Sequence, residues 1–353
     1  MTNKGAAHVV GLGLIGTSLA LALISLGWQV SGWDVEEIVR TEAQSRGIHI
    51  DSHFSMCDLV FICVPAGFVV QVATDVAKNL MSPTAVISDV AGIKAGIVRD
   101  VLDERFVGGH PMAGSELRGP SGASADLFNG CNWVLTPSPT TSPDTYTKMH
   151  AIIRDLNANV VAIEPEQHDR LMSVASHVPH LVAGALMNEA TATSRHDAVL
   201  LQLAAGGFRD MTRIAAGDPS IWPDVLIENH RAVSDTLGSV IDRLRDLLEA
   251  IENSDRATLE ELLLSAAKAR RELPGRATQS ENLTYLRVEL SDEPGQLARV
   301  TVTASDMLVN IYDIEISHSA SESFGTLLLA IGMEDAERFT NSLTNNGFKV
   351  GLS

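Results

Sequence analysis

Cysteine is scarce in this sequence, with three cysteines among 353 residues. Cys57, Cys63 and Cys131 form neither a CxxC pair nor a zinc-ligand spacing, so we expect reduced thiols, no metal site and a cytoplasmic protein. The sequence also lacks an uninterrupted apolar run of about 18 residues, and we expect no transmembrane helix. The apolar segment 6–26 carries glycines at phosphate-loop spacing, which favours a strand and a helix over a signal peptide.

Basic residues are also few. The 26 Lys and Arg residues against 44 Asp and Glu residues give a formal net charge of −18, which argues against nucleic acid or an anionic membrane as a partner. A local Arg or His can still bind an anionic substrate. Hydrophobic residues, by contrast, make up 45% of the chain, and this length and composition predict two or three domains.

A G-x-G-x-x-G pattern lies between a predicted strand, 8–10, and a predicted helix, 17–26. Its first glycine permits a tight turn, its second lets a pyrophosphate approach, and its third lets the helix pack on the strand. The free N–H groups at the start of the helix would then face the phosphates. We expect the following residues of this loop to bind the cofactor: Gly11, Gly13, Leu14, Ile15 and Gly16.

Asp34 follows the predicted strand 29–33 and stands 18 positions after Gly16, close to where a ribose-binding acid is expected. Its carboxylate would bind ribose hydroxyls and repel a 2′-phosphate. Glu36 and Glu37, rather than an arginine, come next. The sequence therefore predicts NAD, not NADP, as the cofactor of residues 1–150.

Strands and helices continue to alternate after this unit, which predicts a mostly parallel, doubly wound sheet of the Rossmann type. Ligands bind at the carboxyl ends of the strands in such sheets. Val64, Pro65, the segment 89–94 and His110 all stand at predicted strand ends, so we expect them to line one crevice with the nicotinamide. The predicted strands are 58–64, 85–90, 105–107 and 132–135, and the predicted helices are 68–80 and one from residue 93.

The stretch 107–116 reads as a glycine-rich loop that carries one imidazole, His110. Gly108 and Gly109 would let a second molecule approach the backbone. A histidine in this setting can exchange protons near neutral pH, although a hydrogen-bonded loop histidine with no chemical role fits the residues alone as well.

Residues 151–273 have a helical pattern. The segment 165–192 has apolar residues at three- and four-residue spacing, with a kink expected at Pro179. Ser176 and His180 are four residues apart and should share a face, whereas His177 should face elsewhere. A core histidine is the alternative for His180, and no carboxylate completes a metalloprotease spacing here.

Arg213 requires an anion, because a guanidinium cannot lose its proton. Asp210, Asp218 and a substrate carboxylate all remain candidates. The amphipathic helices expected at 221–250 and 259–272 have apolar faces that must be covered, which favours a dimer interface.

The C-terminal part begins after a polar segment, 274–282, that reads as a linker. Residues 283–353 have the strand and helix order βαββαβ, a ferredoxin-like unit. Taken alone, this unit indicates no more than a dimerisation module.

Three segments, 109–116, 176–180 and 207–215, together resemble the prephenate dehydrogenases, the oxidoreductases of tyrosine biosynthesis. The resemblance covers essentially the whole chain, and the C-terminal unit resembles an ACT domain, a small amino-acid-sensing module. The resemblance implies an NAD-binding Rossmann domain at 1–150, an all-α substrate and dimerisation domain at 151–273, and an ACT regulatory domain at 283–353. It implies a cytoplasmic homodimer with prephenate as substrate and tyrosine as effector.

The resemblance also implies roles for single residues. His110 matches the histidine that removes the proton of the substrate's C4 hydroxyl, and Ser176 matches a serine that positions it. Arg213 matches the arginine that holds a substrate carboxylate. Gly92 stands where relatives often have a serine that bonds the catalytic histidine. The remaining matches are His180 near the pyruvyl side chain, Ser115 and Glu116 at the pocket mouth, Asp210 and Trp222 as supporting groups, and Asp292, Pro294, Gly295 and Asn310 at the amino-acid site of the ACT domain.

The implied reaction is the NAD-dependent oxidative decarboxylation of prephenate to 4-hydroxyphenylpyruvate. Arogenate is an alternative substrate, because Glu116 could accept its ammonium group. Two further alternatives are a hydroxyacid or imine reductase of the same architecture and a non-catalytic regulator that senses NAD and an amino acid.

Overall fold

The computed structural model describes residues 4–114, 117–195, 199–200, 203–272, 283–291, 293, 295–318 and 324–352. The chain forms two compact units, 1–243 and 244–353. No helix in these described ranges is long and apolar enough to cross a membrane.

The first unit contains an eight-stranded sheet with the order β3-β2-β1-β4-β5-β6-β7-β8. All neighbouring strands pair in parallel except β6 and β7, which are antiparallel. The prediction of a mostly parallel sheet is therefore confirmed. The strands are β1 (Ala6–Val10), β2 (Gln29–Trp33), β3 (His49–Ile50), β4 (Leu59–Ile62), β5 (Val86–Asp89), β6 (Phe106–Pro111), β7 (Asn132–Thr136) and β8 (Asn159–Ala162).

Helices pack on both faces of this sheet and enclose two apolar cores. One core contains Leu19, Phe61 and Trp133, and the other contains Ile62, Val76 and Ile97, all of which are buried. The central strands are buried on both faces, which explains their nearly continuous apolar sequence. The helices are α1 (Leu14–Ser25), α2 (Glu37–Ser45), α3 (Val69–Asn79), α4 (Ala95–Asp100) and α5 (Pro143–Asp155).

The chain then becomes helical. The segment expected to kink at Pro179 divides into two helices joined by one π-helical turn, Ser173–His177. Pro179 lies in the first turn of the second helix and has no N–H to donate to the carbonyl four residues earlier, so the interruption precedes it. The helices are α6 (Pro165–Met172), α7 (Val178–Ser194), α8 (Gly206–Thr212), α9 (Trp222–Glu228), α10 (His230–Glu252) and α11 (Arg256–Arg271).

The C-terminal strands form a four-stranded antiparallel sheet with the order β10-β11-β9-β12. Its elements follow the predicted order βαββαβ, and its core contains Leu286, Val300, Leu329 and Phe339. The elements are β9 (Leu283–Ser291), α12 (Gln296–Asp306), β10 (Ile311–His318), β11 (Phe324–Gly332), α13 (Ala336–Asn345) and β12 (Lys349–Leu352). The predicted linker, 274–282, lies outside the described residues.

Candidate active site

The glycine motif forms the turn between β1 and α1, as the sequence predicts. Gly11 has φ +90°, and a Cβ atom on Gly11 would lie 2.5 Å from the carbonyl oxygen of Cys63. A Cβ atom on Gly16 would lie 1.9 Å from the oxygen of Gly11. A Cβ atom on Gly13 would meet nothing within 4 Å, so open space adjoins the N-terminus of α1. This geometry fits the pyrophosphate of a dinucleotide.

Asp34 lies directly after β2, and both oxygens of its carboxylate accept backbone hydrogen bonds. Its Oδ2 accepts a hydrogen bond from the N–H of Leu12 at 2.7 Å, and its Oδ1 accepts one from the N–H of Glu36 at 2.9 Å. The carboxylate is thus fixed beside the glycine loop, where a ribose would lie. Val64 also adjoins this loop, since its nitrogen would be 3.1 Å from a Cβ on Gly11, and Pro65 is exposed just beyond it.

The structure corrects the prediction that His110 lies on a loop. His110 belongs to strand β6, where it pairs with Val134 of the antiparallel strand β7. Gly108 and Gly109 do not make room for a second molecule. A Cβ on Gly108 would lie 2.4 Å from Oγ1 of Thr136, and one on Gly109 would lie 2.7 Å from the oxygen of Asp89. These glycines therefore let β6 pack closely against its own sheet.

A chain of hydrogen bonds holds the His110 ring. Its Nδ1 lies 2.8 Å from Nε2 of His168, and Nδ1 of His168 lies 2.8 Å from Oδ1 of Asp169. The Asp169 carboxylate also accepts the N–H groups of Lys94 and Ala95, at 2.8 and 2.9 Å. His168 is fully buried in the first helix of the α6–α7 segment. Sequence reasoning missed His168 and Asp169, because nothing in the local pattern of α6 indicates a partner on β6.

A buried ion pair lies near the same ring. The ammonium of Lys94 donates to Oδ2 of Asp89, and both side chains are 0% exposed. Asp89 also accepts the N–H groups of Ala91 and Gly109. The pair therefore anchors the end of β5 to β6. Burial lowers the pKa of His110 well below its ordinary value, and the charge of Lys94 acts in the same direction.

The Nε2 edge of His110 faces the backbone of Gly92. A Cβ on Gly92 would lie 3.7 Å from both Nε2 and Cε1 of His110 and would meet no other residue within 4 Å. In the described part of the chain, His168 provides the one hydrogen-bond partner of this ring. The nitrogen on the Gly92 side is therefore available to a ligand.

His177 and His180 both contact Trp222. The His180 ring stacks on the indole with the ring centroids 3.8 Å apart, whereas His177 meets it edge-on at 6.2 Å. His177 is buried, bonded to Asn229 at 3.2 Å, and interacts with the Gly92 backbone. Burial lowers the pKa of both histidines. The expectation that His177 faces elsewhere is wrong, because residues three positions apart are neighbours on a helix surface, so His177 and His180 both reach Trp222.

These contacts form one continuous series from His110 through Gly92, His177 and Trp222 to His180. The turn that starts at Arg213 lies next, since a Cβ on Gly217 would be 3.9 Å from Cε1 of His180. Arg213 itself is exposed. Asp218, one of the two carboxylates considered for Arg213, lies 3.5 Å from Nε of Arg118.

Other predicted site residues are less well placed. Ser176 is half-buried, and its hydroxyl has no hydrogen bond among the residues that the structure describes, so its positioning role stays a prediction. Ser115, Glu116, Asp292 and Pro294 lie outside the described residues. Gly295 precedes α12 with φ +91°, and Asn310 is exposed before β10.

Sequence models of two domains match this chain. The nucleotide-binding domain of prephenate dehydrogenase matches residues 19–162, and the dimerization domain of prephenate dehydrogenase matches residues 164–265. The first match confirms the predicted nucleotide-binding domain.

Individual proteins agree with these matches. A prephenate dehydrogenase of Bacillus subtilis is 30% identical over 93% of this chain and 92% of its own length. The crystal structure of an A. aeolicus prephenate dehydrogenase with hydroxyphenyl propionate and NAD+ is 30% identical, covering 76% of this chain and 98% of that one with a TM-score of 0.70. A Synechocystis arogenate dehydrogenase is 29% identical over 76% of this chain and all of its own, with a TM-score of 0.66. The chain belongs to the prephenate dehydrogenase family.

Proposed function

We propose that this protein is an NAD-dependent prephenate dehydrogenase in which His110 acts as the general base. The hydrogen-bond chain from Asp169 through His168 to His110 is the observation that carries the assignment of the base. The family membership and the glycine loop with Asp34 support NAD as the cofactor.

The hydrogen-bond chain selects one tautomer of His110. An ionised Asp169 can only accept, so Nδ1 of His168 carries a proton and its Nε2 has a free lone pair. Nε2 of His168 must then accept the proton on Nδ1 of His110. The lone pair of His110 is therefore on Nε2, the ring nitrogen that faces Gly92. Two backbone N–H groups, of Lys94 and Ala95, also donate to the Asp169 carboxylate.

The lowered pKa of His110 also suits a general base. A base must be neutral when the substrate arrives, and burial together with the nearby ammonium of Lys94 disfavours the imidazolium form. As the imidazolium forms during the reaction, the His168–Asp169 pair stabilises it through the hydrogen bond to Nδ1.

The chemistry of prephenate fits this arrangement. Bound NAD would supply the acceptor for the hydride that leaves C4. The C4 hydroxyl gives its proton to Nε2 of His110 while C4 becomes a carbonyl carbon. The bond to the C1 carboxylate then breaks, carbon dioxide leaves, and the bonding electron pair enters the ring. The ring becomes aromatic, and its phenolate oxygen recovers the proton from His110.

We assign the remaining predicted residues to substrate orientation. Arg213 would hold a carboxylate bidentately, and His180, stacked on Trp222, would line the side-chain end of the pocket. Ser176, Ser115 and Glu116 remain candidates for contacts to the substrate. Orientation of C4 toward the nicotinamide is largely an entropic task, which rigid contacts of this kind perform.

Regulation and assembly are further parts of the proposal. The βαββαβ order of the C-terminal sheet supports an ACT domain that binds tyrosine near Gly295 and Asn310. The dimerization-domain match supports a homodimer. The domain limits 1–150, 151–273 and 283–353 and a cytoplasmic location also stay proposals.

An absorbance assay of NADH formation tests the proposed activity. Purified protein is given prephenate or arogenate, each with NAD or NADP, and kcat/KM is compared. We expect prephenate with NAD to give the highest value. A higher kcat/KM for arogenate would change the substrate, and no turnover with either would contradict the enzyme assignment.

The tyrosine site is tested in the full-length chain. Tyrosine should inhibit the wild-type enzyme, and Asn310→Ala should weaken that inhibition without changing kcat. Equal inhibition of the variant would place the tyrosine site elsewhere.

A further inference from the structure

Arg40 lies near the start of helix α2, close to the Asp34 carboxylate that is expected to hold the ribose. Its Nη1 donates to the backbone oxygens of Asp34 and Val35, at 2.7 and 2.9 Å. Its Cζ lies 4.5 Å from the centroid of the Trp33 ring. Two carbonyls and one aromatic face therefore fix the guanidinium plane at the end of β2.

The other edge of this guanidinium is open. In the ranges that the structure describes, Nε and Nη2 of Arg40 have no hydrogen-bond or ion-pair partner. These two atoms form the side of a guanidinium that donates two parallel hydrogen bonds to one phosphate. Arg40 is half-buried, so part of its side chain is exposed to solvent.

The Asp34 carboxylate disfavours a phosphate at this edge of Arg40. Its carboxylate is held by the N–H groups of Leu12 and Glu36 and not by Arg40, so the two opposite charges remain separate. A carboxylate at this position favours ribose hydroxyls and repels a 2′-phosphate. Glu36 and Glu37 add negative charge nearby. Arg40 therefore presents donors to the same phosphate that Asp34 rejects.

We propose that Arg40 is a second determinant of coenzyme choice and that the Asp34 carboxylate is what keeps a 2′-phosphate from its Nε–Nη2 edge. Neutralising Asp34 should expose an adenosine 2′-phosphate site that Arg40 already provides. The sequence alone did not indicate this, because Arg40 stands six positions after Asp34 and is brought back to it by the first turn of α2. The inference rests on the dinucleotide site of the proposed function.

The test is calorimetric titration of the full-length protein with 2′,5′-ADP and with 5′-AMP, which differ only in the 2′-phosphate. Asp34→Asn keeps the size of the side chain and an acceptor for Leu12, and it should lower the Kd of 2′,5′-ADP at least about tenfold. Asp34→Asn/Arg40→Gln should lose most of that gain. Asp34→Asn should raise the Kd of 5′-AMP, because it removes the carboxylate that binds the ribose hydroxyls. Between Asp34→Asn and Asp34→Asn/Arg40→Gln, however, the Kd of 5′-AMP should stay within about threefold.

A matched control separates the guanidinium from the overall charge. Arg154 is exposed on α5, and Asp34→Asn/Arg154→Gln removes the same charge but should keep the gain. Asp34→Asn/Arg40→Lys retains the charge without the two-donor edge and should give an intermediate Kd. Thermal melting confirms that each variant is folded.

Two results would overturn the inference. One is an equal gain in 2′,5′-ADP affinity with and without Arg40. The other is a parallel loss of 5′-AMP and 2′,5′-ADP affinity, which would mean that Arg40 only shapes the turn. If wild-type protein does not bind NAD at all, the proposed function fails instead.

Discussion

The His110 and His168 rings meet edge to face, with Nδ1 of His110 2.8 Å from Nε2 of His168 and the ring centroids 5.1 Å apart. Two imidazoles at this distance cannot both be charged without strong repulsion, and burial of the pair adds to that cost. The pair therefore holds one proton between the rings, and Nε2 of His110 lies on the far side of its ring from this hydrogen bond.

Replacement of His110 tests the base directly. His110→Asn should lower kcat by about 10²–10⁴-fold, the range that general-base help contributes. The Kd of NAD, measured by titration, should change little, because the glycine loop and Asp34 remain. His49→Gln removes an exposed histidine from β3 and is the matched control. An unchanged kcat in His110→Asn would remove His110 from this role.

Asp169 should act through the tautomer of His110 rather than by touching substrate. In Asp169→Asn the amide can donate to Nδ1 of His168, which puts the proton of His168 on Nε2 and forces Nδ1 of His110 to accept. The lone pair then leaves Nε2 of His110, and kcat should fall about 10²-fold or more while KM for prephenate stays similar.

A purely structural role for Asp169 gives a different result. Asp169 also anchors the start of α4 through Lys94 and Ala95, so its loss can lower Tm. Asp169→Glu retains an ionised acceptor and should recover part of kcat. If Asp169→Asn lowers Tm but leaves kcat and its pH profile unchanged, the tautomer argument is wrong.

The coenzyme half of the fold could be predicted because its signals are local. Strand β2 has the predicted bounds, and Gly11, Gly13 and Gly16 have the surroundings expected from their spacing. Each of these features depends on residues within one strand–turn–helix unit. The βαββαβ order of the last 70 or so residues was predictable for the same reason.

The site itself depends on contacts that span the chain. His168 is 58 residues from His110, and its helix contains no signal for a partner on β6. The placement of His177 was wrong because its three-residue spacing from His180 lets both rings reach Trp222, a residue on a later helix. His110 was assigned to a loop because glycine and proline favour turns, whereas pairing with β7 keeps the segment extended.

His8 should make the fold sensitive to acid. Its side chain is buried in β1 and bonded to Ser31 at 2.8 Å, and burial lowers its pKa to about 4. Between pH 6.5 and 4 the unfolded chain binds a proton that the folded chain does not, so the free energy of unfolding falls as pH falls. The difference between this pKa and the ordinary value of 6.5 corresponds to a loss of about 3 kcal/mol in the free energy of unfolding once the pH is below both values.

Urea unfolding at pH 7 and pH 4.5 measures this effect. His8→Gln should lose clearly less stability between the two pH values than the wild type, because glutamine does not titrate. His49→Gln should behave like the wild type, since His49 is exposed. Equal losses for His8→Gln and wild type would show that other buried groups cause the acid sensitivity.

Arg213 should contribute mainly to substrate binding. Arg213→Ala should raise KM for prephenate about 10–100-fold, the value of one or two hydrogen bonds to a charged group, with a smaller effect on kcat. Arg213→Lys keeps the charge but not the two-donor geometry, so its KM for prephenate should lie between the wild-type value and that of Arg213→Ala. A fall in Tm with an unchanged KM would instead mean that Arg213 forms an internal ion pair.

Gly92 sets the space beside Nε2 of His110, the nitrogen proposed to act as the base. Gly92→Ala places a methyl group 3.7 Å from Nε2, an ordinary van der Waals distance, so the fold should tolerate it. If the C4 hydroxyl approaches Nε2 as proposed, the methyl group occupies its path, and kcat/KM should fall about tenfold or more because the reacting atoms are displaced. Gly92→Ser fills the same space but offers a hydroxyl to Nε2, so its loss of kcat/KM should be smaller.

Gly184→Ala, on α7 with no neighbour within 4 Å of the new Cβ, is the control and should retain full activity. Equal kcat/KM in Gly92→Ala and wild type would show that the substrate approaches His110 from another direction.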